Sequence, residues 1–169
     1  MIITAKGVVM IQLFTTGGTI AKMYDELSGN LIFDENHLEM MLDQSRCSVD
    51  LAIKPLFLKD SLDMNDSDRD IIFKAVTNSK HKKIIITHGT DTMVQTAKLL
   101  STITDKTIVL VGAMIPFAFK NSDALFNLGT AFGVVGSVEN GVYIAMNGKF
   151  FRWDEVTKDT KLGKFVTIS

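Results

Sequence analysis

"KKIIITHGTDTMVQT", residues 82–96, joins a short apolar run to a polar turn and then to an amphipathic segment. Ile84, Ile85 and Ile86 are consecutive and β-branched. A strand with one wet face would alternate with polar residues, so this run predicts a strand buried on both faces, as in a parallel sheet. The turn behind it holds His88-Gly89-Thr90-Asp91-Thr92, two hydroxyls and a carboxylate between a buried strand and a helix. Such oxygens cap the free N–H groups of a helix start, or they face something that reacts. The choice depends on which other polar loops reach the same sheet edge.

Outward from this stretch the same pattern recurs. Apolar runs bounded by turn residues lie at 8–14, 51–58, 107–112 and 141–146. Pro55 places the second of them near a sheet edge, because proline cannot donate to a ladder. Helical segments are predicted over 35–45, 66–80, 92–103 and 122–136, with capping oxygens offered by residues 66–68, by Asp91-Thr92 and by residues 121–123. Strands alternating with helices imply right-handed crossovers and a doubly wound α/β domain. After Met146 the pattern changes to a turn at Asn147-Gly148 and then a hairpin or extended excursion ending in "KFVTI".

Composition narrows the function. A chain of 169 residues, 46% of them hydrophobic, suits one domain with a packed core. A formal net charge of −1 gives no electrostatic basis for nucleic-acid or anionic-membrane binding. No apolar run has the length to span a bilayer. The single Cys47 fits a reducing, cytoplasmic setting. The opening "MIITAKGVVMIQLF" has no charged leader and no small-residue cleavage site, so no secretory signal is expected. Residues 1–9 are expected to be an upstream start or a poorly ordered extension of a domain over 10–169.

In open α/β sheets ligands bind outside the carboxyl ends of the strands. Four polar clusters are expected there: Thr15-Thr16-Gly17-Gly18-Thr19, "KDSLDMND" at 59–66, His88 to Thr92, and Gly112-Ala113-Met114-Ile115-Pro116. Each has a plain structural reading beside a chemical one. Paired glycines make a tight turn or admit a ligand close to the backbone. A phosphate cradle is disfavoured, since no lysine follows the glycines at P-loop spacing. Asp91 reads equally as an N-cap, His88 as a loop support, and Lys158 in "DEVTKDTK" as part of a solvated charged run. No second His or Cys stands at metal-ligand spacing.

Together, "TTGGTIA", "DSLDMND", "HGTDTM", "GAMIP" with "SDALFNL", and "DEVTK" occur in the order found in bacterial-type L-asparaginases, which this chain resembles over residues 10–168. The resemblance implies a flavodoxin-like three-layer sandwich with a mainly parallel sheet of about five strands. It implies cofactor-free hydrolysis of asparagine, or a related small amide, to the acid and ammonia. On matching positions it makes Thr16 the nucleophile and Thr90, Asp91 and Lys158 a second triad that moves the proton. Ser61 then holds the substrate's α-carboxylate, Asp91 its ammonium, and Ala113 the reacting amide. Gly17 and Gly18 leave room for substrate and offer donors to the oxyanion, and Tyr24 is the nearest candidate for the family's loop tyrosine. Leu62 and Ile115 depart from the pattern, standing where a polar residue and an arginine are usual. The chain resembles the short single-domain asparaginase-like proteins, or a truncated gene product, with the family's carboxy-terminal domain expected to be absent and a homodimer expected to complete the pocket. The competing readings are a non-catalytic small amino-acid-binding module and a subunit of an amide-using complex.

Overall fold

The computed structural model describes residues 10–168, so the expected extension over residues 1–9 lies outside the described residues. In chain order the elements are β1 (Ile11–Gly17), β2 (Lys22–Asp25), β3 (Asn30–Phe33), α1 (His37–Gln44), β4 (Leu51–Lys59), α2 (Asp66–Asn78), β5 (Lys83–Thr87), α3 (Met93–Leu100), β6 (Thr107–Val111), α4 (Ala124–Val135), β7 (Gly141–Met146), β8 (Lys149–Arg152), β9 (Val156–Asp159) and β10 (Lys164–Thr167). Every predicted strand and helix has its counterpart among the described residues: the helices end a few residues short of prediction, β1 runs on to Gly17 beyond its predicted end at 14, and residues 8–9 of that run lie outside the described residues.

The main sheet has six strands in the order β4-β1-β5-β6-β7-β8. All neighbours run parallel except β7 and β8. The sixth strand, one more than expected, comes from the Asn147-Gly148 turn. Both of its residues take positive φ, 58° and 73°, the backbone that matches the twist of a tight hairpin. Pro55 lies on the outermost strand, where a missing N–H is tolerated.

Side chains alternate across the sheet and build a core on each face. Leu13, Ile85, Val109 and Tyr143 meet Leu38 and Met41 of α1 and Leu128, Ala131 and Val135 of α4. Phe14, Ile84, Ile86, Ile108 and Leu110 meet Ile72 and Val76 of α2 and Ala97 and Leu100 of α3 on the other face. The result is a three-layer α/β sandwich. Two further pairs stand apart as two-stranded sheets, β2 with β3 and β9 with β10. No described helix is long and apolar enough to cross a membrane.

The expected caps are corrected in detail. At α2 the cap is Asn65, whose side chain accepts from the Asp68 N–H at 3.1 Å while Asp68 accepts from the Asn65 N–H at 3.0 Å. Thr92 and Asp123 hold the N-cap positions of α3 and α4 but make no side-chain cap bond. Their oxygens are recruited by neighbouring loops instead, and those loops form the site.

Candidate active site

Strand order reverses at β1, which has β4 on one side and β5 on the other. The chain leaves β1 toward α1 on one face and leaves β5 toward α3 on the opposite face. The crevice between two such diverging connections is where doubly wound sheets place their ligands. The Thr16 turn and the Thr90 turn are the two loops that open into it.

They touch backbone to backbone. Gly18 has φ 79° and ψ 179°, a conformation nearly confined to glycine. A Cβ there would lie 2.5 Å from the Gly89 nitrogen and 2.6 Å from its Cα. The Gly18 N–H donates to the Lys59 carbonyl at 2.8 Å. That bond occupies the donor expected to face an oxyanion. Thr16 is fully buried, and its hydroxyl donates to the Thr87 carbonyl at 2.8 Å.

The second loop locks onto the third. Ser61 is fully buried and its Oγ accepts from the Asp91 N–H at 3.2 Å. Thr92 Oγ1 donates to the Ser61 carbonyl at 2.8 Å, which explains its absence from the α3 cap. At the near end of this loop Lys59 donates to Asp68 at 2.6 Å. That bond, with the Asn65 N–H, holds the Asp68 carboxyl below its usual range. Lys22 of the β2–β3 hairpin pairs with Asp60 and lies 5.8 Å from the centre of the Phe33 ring. Tyr24, on the same hairpin, is exposed.

Lys158 arrives from the separate β9–β10 hairpin. Its Nζ donates to Thr90 Oγ1 at 2.8 Å and to Asp91 Oδ1 at 2.6 Å. The lysine side chain is 13% exposed and that of Asp91 is 37% exposed, so the ammonium is the more buried end of the pair. Thr90 is buried, 4% exposed. A hydroxyl whose oxygen accepts from a lysine keeps its own proton free to donate.

His88 supports this turn from beneath. Its Nδ1–H donates to the Gly89 carbonyl at 2.7 Å, and its Nε2 accepts from Thr96 Oγ1 at 2.8 Å. Complete burial pushes its pKa down to about 4, so the ring stays neutral. With both nitrogens committed it is a loop support and not a base.

The fourth loop brings Ala113, itself buried, to the same edge. The N–H groups of Met114 and Ile115 both donate to Asp123 Oδ1 at 3.0 Å. Asn127 Nδ2 donates to the Gly112 carbonyl at 3.0 Å. Asp123 was read from sequence only as a helix cap, and Asn127 was given no role. Their signal was two polar residues at i and i+4, one at the N-cap and one in the first turns of a largely apolar helix, on one face of it. Among the described residues no cluster of His, Cys, Asp and Glu has the makings of a metal site.

Residues 10–163 match the family described as asparaginase, N-terminal. The chain belongs to that family. It is 33% identical over 127 residues to a glutaminase-asparaginase of Acinetobacter glutaminasificans, covering 72% of this chain and 37% of that protein. It is 32% identical over 159 residues to L-asparaginase 2 of Escherichia coli, covering 88% of this chain and 46% of the relative. The structure of the thermostable L-asparaginase from Thermococcus kodakarensis superposes with a TM-score of 0.82 at 29% identity, over 94% of this chain and 51% of that one. The chain thus spans about half or less of the length of these asparaginases. What the asparaginase domain brings together is Thr90, Asp91 and Lys158 in direct contact, with Ser61 and Gly18 packed against the same turn. Tyr24 stays outside this contact set.

Proposed function

We propose that the domain is an asparaginase-type amidohydrolase that releases ammonia from asparagine or a related small amide. The observation that carries this reading is the Lys158 ammonium set between Thr90 Oγ1 and Asp91 Oδ1. A threonine hydroxyl is a poor nucleophile unless a neighbour takes its proton. Lys158 in its amine form is that neighbour, and Asp91 holds the nitrogen in line. In this reading the Thr16 hydroxyl attacks the amide carbon, and its proton passes by way of Thr90 Oγ1 to Lys158 and from there to the amide nitrogen. The C–N bond breaks and ammonia leaves. A water that gives its proton to the same Thr90–Lys158 pair then cleaves the acyl ester and restores the Thr16 hydroxyl. Thr16 must first turn its hydroxyl away from the Thr87 carbonyl, a rotation about χ1. The second carboxylate oxygen of Asp91, a partly exposed side chain, suits a substrate ammonium.

Ammonia release from asparagine, glutamine and several other amides, with Thr16→Ala and Lys158→Met beside wild type, tests the assignment. Each substitution is expected to lower the rate by about 10²–10⁴-fold, the range for a positioned acid–base group. Wild type and both variants releasing equally little would favour a small amino-acid-binding module, the reading that the buried hydroxyl of Thr16 supports. A second copy of the chain is proposed to cover the rim. Leu62, Ile115 and Leu162 stand exposed there at 72%, 37% and 66%. Sedimentation of a monomer with full activity would refute that assembly.

A further inference from the structure

We propose that Asn127 and Asn147 are positioning residues that set Lys158 against Thr90, an inference that rests on the reading of Lys158 as the proton relay. The β9–β10 pair is hydrogen-bonded to no strand of the main sheet, and a lone two-stranded hairpin is marginal in water. The place of Lys158 is therefore set by whatever anchors this hairpin.

Two anchors are apolar. Val156 and Phe165 are buried against the α2–α3 face. Phe165 stands directly opposite Lys158 in the pair, so the two share the inward face. Apolar contact holds the hairpin down but is non-directional. Direction comes from a chain of amides. The Phe165 N–H donates to Asn147 Oδ1 at 2.9 Å, and the Asn147 N–H donates to Asn127 Oδ1 at 2.9 Å. Asn127 Nδ2 then donates to the Gly112 carbonyl at 3.0 Å and to Asp123 Oδ2 at 2.8 Å. The relay thus ties the residue facing Lys158 to the loop that carries Ala113.

Asn127 is fully buried on a largely apolar helix. Burying an amide is costly unless its polar atoms are paired, and here three bonds pair them. Asn147 sits at φ 58°, a region that Asn tolerates better than most side chains.

The test uses Asn147→Gly, which keeps the left-handed turn and the backbone N–H while removing the side chain and with it the acceptor Oδ1, and Asn147→Asp, which keeps an acceptor oxygen at that place. Lysine reactivity toward acetic anhydride is read residue by residue by peptide mass spectrometry, alongside ammonia release. In Asn147→Gly, labelling of Lys158 is expected to rise about tenfold, the scale of one lost net hydrogen bond, while buried Lys106 stays protected. The maximal rate falls with KM unchanged, and Asn147→Asp returns both readouts toward wild type. Unchanged labelling of Lys158 in Asn147→Gly overturns the proposal, as does a rise shared with Lys106. A wild type that releases no ammonia sinks the amidohydrolase reading alone, and the labelling ratio still decides the relay.

Discussion

Replacing Gly18 with alanine adds one carbon where the Thr16 turn and the Thr90 turn already touch. Two costs follow from the geometry. The backbone at φ 79° and ψ 179° lies in a region almost closed to L side chains, worth about 1–3 kcal/mol of strain. The new Cβ would also sit 2.5 Å from the Gly89 nitrogen, so reaching an ordinary 3.4 Å contact opens the loops by 3.4 − 2.5 = 0.9 Å. A displacement of that size at a reacting centre costs roughly 10²-fold in rate. Gly29→Ala is the matched control: its φ is 74° and nothing lies within 4 Å of the added carbon, so it carries backbone strain without the clash. Gly18→Ala is expected to lose about 3 kcal/mol, about 10 °C in melting temperature, against roughly 3 °C for Gly29→Ala. Thermal melts and ammonia release measured on both variants decide the matter. Equal losses in melting temperature, with Gly18→Ala keeping its activity within threefold, would show that the two loops are not in contact.

Burial sets the acid limit of the fold. The unfolded chain protonates His88 near its ordinary 6.5, whereas the folded chain holds it at about 4. The unfolded state therefore binds more protons between these values, and stability, full above 6.5, falls as pH drops through the window. Urea unfolding at pH 7.5 and 4.5 is expected to show a loss of about 2–3 kcal/mol from this group. His88→Gln reduces that loss, while His37, whose pKa burial also lowers, retains its share. Asn65→Ala removes one partner of the capping box on α2. It should cost about 1 kcal/mol, read as a melting temperature lower by about 3 °C.

Local sequence determined the elements and their class. Runs such as Ile84-Ile85-Ile86 are short, β-branched and apolar throughout, so their preference for a strand is set by neighbours along the chain. Pro55 on an edge strand and the Asn147-Gly148 turn were legible for the same reason: each is a conformational preference of one or two residues. The motifs, in their order, added the family and a list of candidate residues.

Tertiary structure decided what those residues do. By its neighbours alone Lys158 reads as one member of a solvated charged run, and packing of its hairpin turns it inward onto Thr90 and Asp91. Asp91-Thr92 reads as a helix cap, but Thr92 bonds the Ser61 carbonyl instead. The Thr16 hydroxyl is committed to the Thr87 carbonyl, and Asn127 reaches across to the β7–β8 turn. Periodicity reports which face of an element is apolar. A directional bond between residues 67 apart, as for Lys158 and Asp91, depends on strand register and loop packing, which exist only once the sheet has assembled.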